Sequence, residues 1–73
     1  MKKGKKVRCL FTQFDIGVTK GQIYEVVAGE GDFGRDSNRI LVNNEFEFID
    51  DDGDFSYDLF PRRLSNNKWE IIE

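Results

Sequence analysis

The chain contains no histidine, and cysteine, proline, methionine and tryptophan occur once each. Without histidine, no side chain has an ordinary pKa suited to general-base work near neutral pH. A single Cys9 cannot close an intrachain disulfide, and one thiol without histidine does not build the usual Cys/His zinc site. No G-x-S-x-G, P-loop or dinucleotide fingerprint occurs, and "GEGDFG" has the glycine spacing of neither nucleotide motif. After Lys2, Lys3, Lys5 and Lys6 only "VRCLF" intervenes before polar residues return. A secretory signal needs about 7–15 apolar residues and a membrane span about 20. These absences set the expectations: no enzyme activity, no cofactor, no metal, no membrane, and a reducing, cytoplasmic location.

What is present is β-forming. Seventy-three residues make one small domain, with seven Phe, two Tyr and one Trp to fill its core. The dominant period is two. "KKVRCLF" puts Val7, Cys9 and Phe11 on one face, and "QIYEVVA" does the same for Tyr24, Val26 and Ala28. Ile40, Val42, Phe46 and Phe48 share one parity through "RILV" and "EFEFI". "DFSYDLF" sets Phe55, Tyr57 and Leu59 against Asp54, Ser56 and Asp58, and "KWEII" pairs Trp69 with Ile71. No window carries a helical stripe.

Turn chemistry separates these runs. Asp52-Gly53 predicts a two-residue type I′ hairpin. Asn43-Asn44 is either a second tight turn or part of one strand from Arg39 to Asp50. "GEGDFGRDSN", residues 29–38, has three glycines and reads as a mobile loop. Pro61 ends a strand, and "PRRLS" suits one turn of 3-10 helix. The expected fold is all-β: a small barrel of five or six short antiparallel strands, with one 3-10 turn before the last strand and residues 1–5 as a flexible basic tail.

"VRCL", "VTKGQIYEVV", "DDDGDF" and "YDLFPRRL", in this order, resemble small uncharacterised Src-homology-3-like β-barrel proteins of phages and prophages of Gram-positive bacteria. The resemblance covers most of residues 6–60, on core and turn residues, and implies fold more than function. "GEGDFGRDSNRILVNN" is longer than the loop such proteins have. Signalling members of the fold bind proline-rich peptides with an "ALYDY" stretch and a tandem Trp pair, which this chain lacks.

Charge is uneven. Residues 1–24 carry six basic groups against one acid, whereas residues 25–58 carry two arginines against eleven acids. Three partner classes follow. The first is a protein, for a binding module of phage or prophage origin that docks on a host or viral protein in the host cytoplasm. Aromatic anchors beside arginines suit such contacts, which singles out Phe14, Asp15, Ile16, Phe60, Arg62 and Arg63. The second is nucleic acid, through Lys2, Lys3, Lys5, Lys6 and Arg8. The third is a small anion such as a nucleotide, held by Arg62 and Arg63. The acidic stretch "DDDGD" lacks the ligand positions of a calcium loop and reads as a solvated turn. Cys9 reads as a small core residue.

Overall fold

A computed structural model describes residues 1–12, 17–60 and 68–72. Within these residues the chain is all-β, with no helix. Its strands are β1 (Lys6–Cys9), β2 (Ile23–Ala28), β3 (Phe33–Gly34), β4 (Arg39–Ile40), β5 (Glu45–Ile49), β6 (Phe55–Leu59) and β7 (Trp69–Ile71). Five of them form one antiparallel sheet in the order β6-β5-β2-β1-β7, while β3 and β4 pair only with each other. The 3-10 turn expected in "PRRLS" lies outside the described residues.

The sheet curls into a half-barrel because its concave face is the apolar one. Val7 and Cys9 of β1, Tyr24 and Val26 of β2, Phe46 and Phe48 of β5 and Trp69 of β7 are buried together, with Val18. The pairing of β2 with β5 shifts register between Val26 and Ala28, a bulge that bends the strand and adds twist. Trp69 sits at the centre, its ring centroid 4.9 Å from that of Phe48 and 5.6 Å from that of Phe46. Its indole N–H donates to Asp58 at 2.7 Å. Since Trp69 and Asp58 lie on the two edge strands, this bond spans the open side of the sheet.

Asp58 faces the core because of the β5–β6 turn. The loop is not the two-residue type I′ turn that Asp52-Gly53 suggests: Gly53 has φ +82° while Asp52 keeps negative φ. Gly53 N–H donates to Asp50 O and Asp50 N–H donates to Asp54 O, leaving three residues in the loop. Such a turn followed by a left-handed glycine is the usual three-residue hairpin. A two-residue loop would set Phe48 opposite Tyr57; the observed register sets Phe48 opposite Ser56 and Phe46 opposite Asp58. One extra loop residue exchanges the faces of the whole strand. Ser56 and Asp58 are therefore buried against the core, and Phe55, Tyr57 and Leu59 lie on the convex side, the reverse of the expected arrangement.

Other expectations also change. Phe11 is exposed, since β1 stops at Cys9. Asn44, at φ +69°, breaks the chain between β4 and β5, so residues 39–50 are not one strand. The parity across 40–48 fails with that break: Leu41 is buried, and Ile40 and Val42 are exposed. Ile71 is exposed on the edge strand β7 although it shares a parity with Trp69. Residues 1–5 are tied to the body. Gly4 N–H donates to Val26 O, Val26 N–H to Lys5 O, and Met1 packs against the core.

Candidate functional site

The stretch read as a mobile loop carries a β-hairpin on the convex side of the sheet. Residues 33–40 form the β3–β4 hairpin, with Phe33 opposite Ile40 and Gly34 opposite Arg39. Asn38, at φ +60°, closes its turn and donates its N–H to Gly34 O at 2.7 Å. Asparagine tolerates that conformation better than most side chains.

Two glutamates on the outer face of β5 hold the hairpin down. Glu47 is completely buried. It accepts from Asp36 N–H at 3.0 Å, Ser37 N–H at 2.9 Å and the Ser37 hydroxyl at 2.9 Å. A buried carboxylate needs such donors, and three of them replace the water it has lost. Gly34 allows the approach, because a Cβ there would run into the Glu47 carboxylate. Glu45 takes the Arg39 guanidinium on both oxygens, with Nη1 to Oε1 at 2.7 Å. It also accepts from Val42 N–H and from the Tyr57 hydroxyl, each at 2.7 Å. Arg39 foremost, then Val42 N–H and the Tyr57 hydroxyl, hold the Glu45 carboxyl down at about 2. Burial, and then the Glu45 carboxylate, push the Tyr57 hydroxyl up. Arg35 lies over the Phe55 ring, 5.5 Å from its centroid.

With Gly34 and Arg39 turned to the sheet, the opposite side of the hairpin faces solvent. Phe33 is 55% exposed, Ile40 54% and Val42 60%. Phe33 and Ile40 are cross-strand partners, hence neighbours on one face. Sequence reasoning missed this ridge. Its signal was two short apolar-bearing runs, "DFG" and "RIL", flanking a four-residue polar turn, a hairpin pattern obscured by the glycines around it.

The residues singled out from the sequence fare differently. Phe14, Asp15, Ile16, Arg62 and Arg63 lie outside the described residues. Phe60 is half-buried and packs against the core cluster. Lys2, Lys3, Lys5 and Lys6 are exposed, and Arg8 is half-buried. Arg8 pairs with Glu70 at 3.0 Å, and Lys6 stands opposite Glu25 in the β1–β2 ladder. Two of the five cations thus sit beside acids on the convex face.

The acidic turn is exposed at Asp51, Asp52, Gly53 and Asp54, yet it does structural work. Asp51 accepts from the Tyr24 hydroxyl at 2.6 Å and the Thr19 hydroxyl at 2.7 Å, and its N–H donates to Gly17 O. Burial, and then the bond to Asp51, raise Tyr24 to about 12. Cys9 is fully buried among core residues, and burial pushes its thiol up, away from the thiolate a nucleophile needs. Comparison with known protein families, with curated proteins and with solved structures finds no match.

Proposed function

We propose that the protein is a non-enzymatic binding module of the Src-homology-3-like small-barrel kind. In this reading it is a phage or prophage accessory protein that docks on a host or viral protein in the host cytoplasm. The strand order supports the barrel reading. β1, β2, β5 and β6 follow one another as a meander and β7 returns to pair with β1, the hairpin being an insertion between β2 and β5. The observation that carries docking is the ridge of Phe33, Ile40 and Val42. Phe33 and Ile40 lie bare as neighbours on a hairpin whose other face is pinned by buried carboxylates, and Val42 is bare just beyond it. A bare aromatic beside a bare aliphatic side chain is the kind of anchor that a protein partner covers.

The test compares proteins captured from a Gram-positive bacterial lysate, at low and high salt, by wild type and two double variants. Phe33→Ser with Ile40→Ser should abolish capture while circular dichroism shows the fold intact. Unchanged capture overturns the ridge. Loss with Phe14→Ala plus Arg63→Ala instead would return the site to the surface expected from the sequence. Heparin retention that falls with salt and vanishes when Lys2, Lys3 and Lys5 become Gln would favour nucleic acid.

A further inference from the structure

The hairpin is attached to the sheet in an unusual way. It is a separate two-stranded sheet, and among the described residues no main-chain hydrogen bond joins residues 33–41 to the five-stranded one. Its own bonds close on themselves: Gly31 N–H to Leu41 O, Leu41 N–H to Asp32 O, and Asn38 N–H to Gly34 O. Chain reversals with positive φ stand at both of its ends, Gly31 at +87° and Asn44 at +69°. What fastens it is polar side-chain chemistry on Glu45 and Glu47, plus Arg35 over Phe55 and one fully buried apolar side chain, Leu41. Water can satisfy a carboxylate, an amide or a guanidinium about as well as the protein does. Parting these contacts therefore costs far less than parting the aromatic core.

We propose that residues 33–41 are a strap that opens and closes over β5 and β6 as one unit, independently of the five-stranded sheet, with Glu47 as its latch. Closed, the strap is an internal ligand for the convex face of β5–β6. Open, it uncovers the ladder in which Glu45 stands opposite Leu59 and Glu47 opposite Tyr57. The strap supplies two guanidiniums, Arg39 on Glu45 and Arg35 over the Phe55 ring, and, at Glu47, two N–H groups and one hydroxyl. A competitor for that face has to supply the same chemistry. The inference stands on strap contacts alone and holds whatever the protein docks on.

Native-state hydrogen exchange of the full chain, followed by NMR in rising urea, tests it. An isolated two-stranded hairpin is marginally stable at best in water, so the opened strap frays, and the amides of Asp36, Ser37, Asn38 and Leu41 should share one opening transition, easier than the one protecting Cys9 and Val26. Glu47→Gln should speed the four strap amides tenfold or more and leave Cys9 and Val26 unchanged. A single transition shared by strap and sheet in the wild type, which needs no variant to fold, overturns the proposal. So do strap amides whose exchange is unmoved by Glu47→Gln.

Discussion

Two sets of carboxylates on the same hairpin meet opposite fates. Glu45 and Glu47, on β5, are buried. Asp51, Asp52 and Asp54, in the turn that follows, are exposed. Residue type does not explain the difference, since all five are acids in one run of alternating aromatics. Cover does. The convex face of β5 lies under the strap, whose amides, hydroxyl and guanidinium take the place of water. The turn, at Asp51, Asp52 and Asp54, stays open to water. Acids in a strand become interior groups when another segment brings them enough donors, and without that segment they would be solvated like any others.

The sharpest way to break this comparison is Glu47→Ala. It leaves three donors, Asp36 N–H, Ser37 N–H and the Ser37 hydroxyl, without their acceptor. An orphaned buried donor costs ~1–3 kcal/mol, and opening the strap to water limits the total. The expected loss is about 1–3 kcal/mol, capped by the cost of opening the strap and so below the ~3–5 kcal/mol that a domain of this size holds. Urea unfolding followed by Trp69 fluorescence measures it. A loss under about 0.5 kcal/mol would mean that Glu47 is a bystander.

Next in size is the acid response of Glu45. Its carboxyl is depressed in the folded chain, from an ordinary 4.5 to about 2, chiefly by Arg39. A depressed carboxyl stabilises the fold fully above its unfolded value, and that contribution is lost as pH falls toward the folded one. The stability that the Arg39–Glu45 pair contributes should therefore decline from pH 4.5 downward, while in the folded chain the pair stays ionised until pH approaches about 2. Carboxyl-carbon NMR of Glu45 reads the transition directly, and Arg39→Met should move it up toward the ordinary value. Ordinary titration of Glu45 in the wild type would contradict the bidentate pair.

Much of the concave side was legible in the sequence, because there period two and apolarity agree. Val7 and Cys9, Tyr24 and Val26, and Phe46 and Phe48 are buried as their alternation predicts. β6 was not legible. "DFSYDLF" alternates equally well either way up, and apolarity favours putting Phe55, Tyr57 and Leu59 inside. The three-residue loop decides otherwise. The inverted strand is tolerable because Trp69 N–H needs the acceptor that Asp58 provides, while outside Arg35 lies over the Phe55 ring and the Tyr57 hydroxyl bonds Glu45. The strap itself was hidden for a related reason. Its glycines suggest mobility, and its anchors, Glu45 and Glu47, look like solvent-facing residues until tertiary structure supplies their donors. Of the residues proposed from sequence for partner binding, Phe60 is described, and it leans on the core. The exposed Phe33 and Ile40 become neighbours only through pairing across the hairpin turn.

The smallest effects belong to the turn, where a pair of substitutions sharpens the contrast within a single loop. Asp50 is half-buried and accepts from Asp52 N–H, Asp54 N–H and the Ser56 hydroxyl, the last at 2.6 Å. Burial opposes its charge, but these donors outweigh burial and leave its carboxyl below the ordinary range. Asp50→Ala should therefore cost about 1–2 kcal/mol by leaving the loop amides and Ser56 without their acceptor. Asp52 contributes to the turn mainly through its backbone, which donates to Asp50 whatever the side chain is. Its carboxylate is solvated and stands among like charges at Asp51 and Asp54, so Asp52→Asn should change stability by less than about 0.5 kcal/mol, in either direction. Thermal unfolding of the two variants side by side separates them. Equal losses would mean that the turn is held by its total charge and not by the donors gathered on Asp50, and the distinction between covered and uncovered acids would then fail at the point where the two sets adjoin.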